Sequence, residues 1–305
     1  MPARTASLSL DGFSDALADR LDGIAARLVA IRSGGRGTST GIVWRPGLIV
    51  TAEEALDADD DIALLHSDGS SAAASLVGRD AGTDIALLRT EERPFPDLTF
   101  GSTSGLRAGH LVVAAGRRPE GIVAAFGIVA LAGGPWKSLR GGHIDRRLHL
   151  DLRLDPRAEG GIVLDASGSA FGMTVLGPRG GVLVIPSETI ERVARQLLEH
   201  GHVARGYLGL GLQPVRIDRT TAETCGLPEP LGLMVISADP DGPGQNAGVR
   251  QGDVLIRWND QALVSVRGIH ALLGPESVGQ TVEVELLRGG EREALPVRIG
   301  ERPRP

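Results

Sequence analysis

Phe13, Leu17, Leu21, Ile24, Ala25 and Leu28 recur at helical spacing, which predicts an amphipathic helix from Ser14 to about Ala26. From Leu28 the pattern changes to short apolar runs separated by glycine, proline or acidic turns. The first set is Leu28 to Arg32, Gly41 to Trp44, Leu48 to Thr51, Ile62 to Leu65, Ala73 to Val77 and Ile85 to Arg89. A link around Pro94 and Pro96 precedes a second set: Leu111 to Ala115, Gly121 to Leu131, His149 to Leu154, Ile162 to Leu164, Ala170 to Val175 and Gly181 to Ile185. Two successive sets of about half a dozen short strands predict two small antiparallel barrels.

Pro186-Ser187 then opens a helix, with Ser187 in the N-cap role, Ile190, Val193, Ala194 and Leu197 on one face, and Gly201 closing it. A third module follows. Its order is a strand from Tyr207 to Val215, a helix from Thr220 to Cys225, strands at Leu233 to Ser237 and Val254 to Trp258, and a helix from Val266 to Leu273. Two final strands, Thr281 to Arg288 and Glu291 to Ile299, flank Gly289-Gly290, a two-residue hairpin signal. The fold class is therefore mainly β, with an α+β third module. The expected organisation is a helical segment (1–26), a double barrel (27–203, divided at 97/98), a third domain (204–302) and a disordered tail (303–305).

Composition changes this picture little. Aromatics are only 3%, so aliphatic side chains must fill the interior. Thirty-two basic against thirty-eight acidic residues give a net charge of −6, which offers no electrostatic footprint for nucleic acid. No run approaches the apolar length that spans a bilayer, and Asp11, Asp15 and Asp19 interrupt the region where a secretory leader would lie. The expected location is cytoplasmic, or periplasmic if the true start lies upstream. The lone Cys225 excludes an internal disulfide and a cysteine-based zinc cluster. Neither a cofactor nor a metal is expected.

Four segments, in order, resemble the HtrA/Deg family of trypsin-like serine proteases. GIVWRPGLIVTA (Gly41 to Ala52) is similar to the family's first hairpin, and GRDAGTDIALLR (Gly78 to Arg89) to its aspartate segment. DPRAEGGIVLD (Asp155 to Asp165) stands where the nucleophile loop would be. Val184 to Val215 resembles the last barrel strand, the closing helix and the start of a PDZ domain. The resemblance implies a chymotrypsin-like double six-stranded barrel followed by one PDZ domain. It also implies assembly, as a homo-trimer or as a mixed oligomer with an active relative.

Hydrolysis in that family needs a hydroxyl, an imidazole and an orienting carboxylate. The resemblance puts Asp84 at the aspartate position, Glu54 at the histidine position and Glu159 at the serine position, with Arg157 replacing a glycine of the oxyanion loop. The expectation is therefore a chain that is no enzyme, with the catalytic set none, binding peptide segments or C-termini as an adaptor, chaperone-like or regulatory subunit. Two alternatives stand beside it: an active endopeptidase with unorthodox catalytic residues, and a structural subunit of mixed oligomers. Three carboxylates in one cleft could splay into solvent, pair with Arg157 or hold a hard cation. In the third domain, Tyr207-Leu208-Gly209-Leu210 resembles a carboxylate-binding loop, and Ile269, Leu272 and Leu273 should line the facing helix.

Overall fold

The computed structural model describes residues 9–35, 37–66, 68–91, 98–177 and 180–303. The link around Pro94 and Pro96 and the end of the tail, Arg304 and Pro305, lie outside them. The chain divides into two compact units, Met1–Val203 and Ala204–Pro305.

In the first unit, helix α1 (Leu10–Ile24) begins four residues before the position that its apolar spacing predicts. The cause is the Ser9 hydroxyl, which accepts from Gly12 N–H and caps the first turn. Six strands then close a barrel: β1 (Leu28–Arg32), β2 (Ser39–Arg45), β3 (Leu48–Thr51), β4 (Ile62–Leu65), β5 (Ser71–Asp80) and β6 (Ile85–Arg89), in the order β1-β2-β3-β6-β5-β4. A second closed barrel follows from β7 (Leu111–Arg118), β8 (Gly121–Ala132), β11 (Leu148–Asp151), β12 (Ile162–Asp165), β13 (Ala170–Leu176) and β14 (Val182–Pro186), in the order β11-β14-β13-β12-β7-β8. The expected pair of six-stranded barrels is present. A small hairpin not anticipated from the sequence, β9 (Trp136–Lys137) with β10 (His143–Ile144), interrupts the second barrel between β8 and β11.

Helix α2 (Ser187–His200) follows β14. Its N-cap is Pro186, and Ser187 is the first helical residue: its hydroxyl donates to Gly101 C=O instead of capping. Ile190, Val193, Ala194 and Leu197 are fully buried in one core cluster with Ile42, Trp44, Val50 and Leu87 of the first barrel. The helix thus runs back onto the barrel made first, and at its left-handed C-cap the Gly201 carbonyl abuts Gly78. A Cβ on Gly78 would stand 2.2 Å from that oxygen, so only glycine fits there.

One buried side chain couples the two barrels. Thr40, on β2, has its N–H on the Glu159 carbonyl at 2.9 Å, and its hydroxyl accepts from Arg117 N–H of β7 at 2.9 Å. The hydroxyl can donate to the Arg157 carbonyl at 3.2 Å or to the Arg117 carbonyl at 3.3 Å, while Thr51 Oγ1 donates to the Thr40 carbonyl at 2.7 Å.

The second unit contains β15 (Gly206–Tyr207), β16 (Leu210–Arg216), α3 (Arg219–Thr224), β17 (Leu231–Ala238), α4 (Pro243–Asn246), β18 (Val254–Trp258), β19 (Gln261–Ala262), α5 (Val266–Leu272), β20 (Thr281–Arg288), β21 (Glu291–Arg298) and β22 (Gly300–Glu301). The main sheet runs β16-β17-β18-β20-β21 and closes on Leu233, Val235, Leu255, Trp258, Ile269, Val284, Leu286 and Val297. The strand expected from Tyr207 to Val215 is two strands. Gly209, at φ 69°, turns the chain, so β15 pairs with β22 while β16 joins the sheet. Gly289 and Gly290 both have positive φ (61° and 92°), as the tight hairpin requires.

Thr40→Val retains the shape and removes the hydroxyl. It leaves the buried Arg117 N–H without an acceptor, so it should destabilise the first unit by about 1–3 kcal/mol in urea denaturation. A midpoint equal to that of the parent chain would show that the hydroxyl does not couple the barrels.

Candidate functional site

Three turns bring carboxylates together in the first unit. Glu53 and Glu54 follow β3, where the chain leaves the barrel after the buried Thr51 and Ala52. Asp84 lies just before β6 in a tight turn that Asp80 builds. The Asp80 carboxylate accepts from Gly82 N–H, Thr83 N–H and Thr83 Oγ1, the last at 2.7 Å. Asp84 takes a left-handed backbone (φ 56°), a conformation costly for a residue with a side chain. The turn aims its carboxylate at Glu54, whose N–H donates to Asp84 Oδ1 at 2.9 Å.

Glu159 comes from the second barrel, at the end of a single 3-10 turn, Pro156–Ala158. Gly160 follows at φ 81°, where a Cβ would meet the Thr40 carbonyl at 2.2 Å. The Glu159 carboxylate accepts from Leu176 N–H at 2.8 Å. Within this turn Arg157 N–H donates to Asp155 Oδ1 at 2.9 Å and Glu159 N–H to the Pro156 carbonyl at 3.2 Å. Both amides are satisfied inside the turn, so neither is presented to a ligand as an oxyanion donor. Arg157 is not left-handed here, unlike Gly160 at φ 81°.

The electrostatics follow from burial. Asp84 is pushed up to about 6, first by burial and then by the charges of Glu54 and Glu53, although the N–H groups it accepts from hold it down. Glu159 is likewise pushed up to about 6, by burial first and then by Asp84 and Glu54, against the Leu176 hydrogen bond. Both carboxyls therefore lie well above the ordinary carboxylate range, burial being the main cause in each.

Of the three arrangements open to the carboxylates, an ion pair with Arg157 is not among the pairs formed by the described residues. Arg140, at the tip of the β9–β10 hairpin, pairs with Glu54 at 2.9 Å and with Glu53 at 3.4 Å, while Arg79 approaches Glu53 at 3.5 Å. Ser138 Oγ donates to the Gly82 carbonyl at 2.6 Å and anchors the hairpin there. Arg140 and Glu54 are about half exposed, so this pair contributes little to stability; its effect is on local charge. Sequence spacing gave no sign of Arg140, because it reaches the site from an insertion in the other barrel. Glu54 is about half exposed, while Glu159 is partly buried and still feels the Glu54 charge. Among the described residues, no group of three or more His, Cys, Asp or Glu side chains is arranged to hold a metal ion.

The second unit carries the other candidate site. Leu208 and Ile269 are buried, and Leu210, Leu212, Leu272 and Leu273 pack against the same core. The Tyr207-Leu208-Gly209-Leu210 loop is fixed by its carbonyls. Asp239 N–H donates to Gly209 C=O and Gly244 N–H to Leu208 C=O, each at 2.7 Å, and Tyr207 OH bonds Asp239. These contacts occupy the carbonyl side of the loop and leave β16 at the edge of its sheet, within reach of α5.

Comparison with known proteins gives a consistent result. The family model described as "Trypsin-like peptidase domain" matches residues 39–173, and that of the "PDZ domain" matches 206–299. The "Probable periplasmic serine endoprotease DegP-like" of Halomonas elongata is 31% identical over 270 residues, covering 86% of this chain and 56% of that protein. Its counterpart in Bartonella henselae is 32% identical over 267 residues, covering 84% and 52%. The chain thus spans little more than half the length of these relatives. Among solved structures, "HtrA-type protease AlgW with tripeptide" superposes with a TM-score of 0.70 at 25% identity, covering 94% of this chain and 98% of that one. The serine endoprotease from Yersinia pestis gives 0.72 at 22%, a likeness of fold.

These relatives correct one expectation. The sequence reading took the glutamates at 54 and 159 to mean that the chain is no enzyme, yet the relatives are named serine endoproteases and the solved neighbours HtrA-type proteases. The cleft instead holds two carboxyls that burial pushes up to about 6. The cytoplasmic expectation likewise finds no support in relatives named as periplasmic; among the described residues no helix is long and apolar enough to cross a membrane.

Both raised carboxyls bind their protons more tightly folded than unfolded. Their ionisation therefore costs stability as pH rises from about 4 through 6, and the full cost is present at pH 7.5. Asp84→Asn and Glu159→Gln should each stabilise the chain at pH 7.5 by about 2 kcal/mol, and by almost nothing at pH 4. Urea denaturation at the two pH values measures this; equal midpoints at pH 7.5 would mean that the carboxyls are not strained by ionisation.

Proposed function

For a chain that belongs, as this one does, to the HtrA/Deg family of trypsin-like proteases, we propose a role as an endopeptidase of exposed polypeptide whose cleft works through carboxylates. Its PDZ domain captures C-terminal segments of its targets. The observation that carries this is that Glu159, from the second barrel, lies close enough to Asp84 of the first for the Asp84 charge to raise it, with both carboxyls pushed up to about 6. Near that pH each carboxyl is protonated part of the time, so one can serve as general acid while the other serves as general base.

The chemistry follows from that state. The ionised carboxylate removes a proton from water as the water oxygen bonds to the peptide carbonyl carbon. The protonated partner gives its proton to the carbonyl oxygen, taking over the task that the inward-turned amides of Arg157 and Glu159 do not perform. The tetrahedral adduct then breaks its C–N bond as a proton passes to nitrogen, leaving a carboxylic acid and an amine. Arg140 pairs with Glu54 beside the two carboxyls, and the Glu54 N–H orients Asp84.

Capture in the second unit rests on Tyr207, Leu208, Gly209 and Leu210 for the terminal carboxylate, with Ile269, Leu272 and Leu273 for an apolar last side chain. The relatives' names motivate a periplasmic location. Assembly with further copies, or with a relative, belongs to the same proposal. The exposed strip Leu111, Phe126 and Ile128, beside Phe13 of α1, is the face such a copy would cover.

The purified chain should cut unfolded casein with a bell-shaped pH profile centred near 6. Asp84→Asn and Glu159→Gln should each lower the rate by roughly 10²–10⁴-fold, and a fluorophosphonate should not label the protein. Lack of turnover from pH 4 to 8 would overturn the hydrolytic reading. Turnover that survives both substitutions would move the chemistry elsewhere.

A further inference from the structure

Strand addition at the edge of β16 needs backbone groups that face outward, and the register of the sheet identifies them. Ile217 N–H donates to Pro230 C=O, so residue 217 faces β17. Val215, opposite Gly232, and Gln213, opposite Met234, share that parity. Asp239 N–H donates to Gly209 C=O, which gives Gly209 and Gly211 the same direction on the far side of a bulge. The outward set on β16 is therefore Leu210, Leu212, Pro214 and Arg216.

One of the four cannot donate. Proline has no N–H, and its ring carbon occupies the space where an incoming carbonyl would seek one. Pro214 is exposed, and its position on an outward-facing rung is the only one that a β16 proline could occupy without breaking the bond to β17.

We propose that Pro214 ends peptide addition after the third residue from the C-terminus, so that this domain reads a three-residue C-terminal motif. The proposal rests on the peptide-binding reading above. An antiparallel peptide with its carboxylate in the Tyr207–Leu210 loop pairs its last residue with Leu210 and its antepenultimate residue with Leu212. The next rung, four residues before the C-terminal one, falls on Pro214. There the incoming carbonyl meets the ring in place of a donor, and the peptide leaves the edge. Specificity is thus confined to the C-terminal three side chains, and upstream sequence is free to vary.

The test is a length series on the full chain, with tri-, penta- and heptapeptides sharing one apolar C-terminal triplet, followed by titration calorimetry. Wild-type affinity should change less than twofold with length. Pro214→Ala should leave the tripeptide unchanged and tighten the penta- and heptapeptides roughly fivefold, the worth of one restored backbone hydrogen bond. N-methylation of the amide four residues before the C-terminal residue should be tolerated by the wild type and should weaken binding to Pro214→Ala. Unchanged melting temperature checks that the variant is folded. A wild-type pentapeptide that binds five times tighter than the tripeptide would overturn the proposal, as would a variant indifferent to length. Binding of no peptide at all would instead overturn the capture reading on which it stands.

Discussion

The arrangement of the first unit depends on one buried threonine. Thr40 belongs to β2, yet its N–H, hydroxyl and carbonyl engage Glu159, Arg117, Arg157 and Thr51. Through it, the turn that carries Glu159 from the second barrel is held at a fixed distance from the turns that carry Glu54 and Asp84 on the first. The close approach of Gly160 to the Thr40 carbonyl leaves no room for the turn to relax. A cleft assembled from two barrels has geometry only as good as the joint between them, and this joint is made of directional bonds shielded from water.

Much of the fold was legible in the sequence because strands announce themselves by short apolar runs between turn residues. Leu48–Thr51, Ile62–Leu65, Ile85–Arg89, Val254–Trp258 and Thr281–Arg288 begin and end where their patterns do. Misplaced boundaries have local causes. α1 starts early because a single hydroxyl, Ser9, caps it, and periodicity does not register a cap. Ser187 looks like a cap but is drawn away by the Gly101 carbonyl, a partner 86 residues distant in sequence.

The candidate site was legible in its members but not in its company. Glu54, Asp84 and Glu159 were named from their segments, and the structure brings all three together. The cation beside them is Arg140, whereas the sequence suggested only Arg157, close to Glu159 in the chain, as a possible partner. Arg140 arrives on a hairpin that composition alone cannot distinguish from a loop. Residue identity also misled in a second way. It suggested what the cleft lacked, while burial determines what its carboxyls can do.

The return of α2 onto the first barrel carries a consequence for how the chain is made. Ile190, Val193, Ala194 and Leu197 complete a core whose other wall includes Ile42, Trp44 and Leu87, so a ribosome delivers one half of that core long before the other. Until Gly201 has emerged and lodged against Gly78, the nascent first barrel presents an open apolar flank for something on the order of ten seconds at ordinary elongation rates. The last helix of the unit is thus the latch of its first barrel, and the interval before it closes is when the growing chain has most need of a holding chaperone.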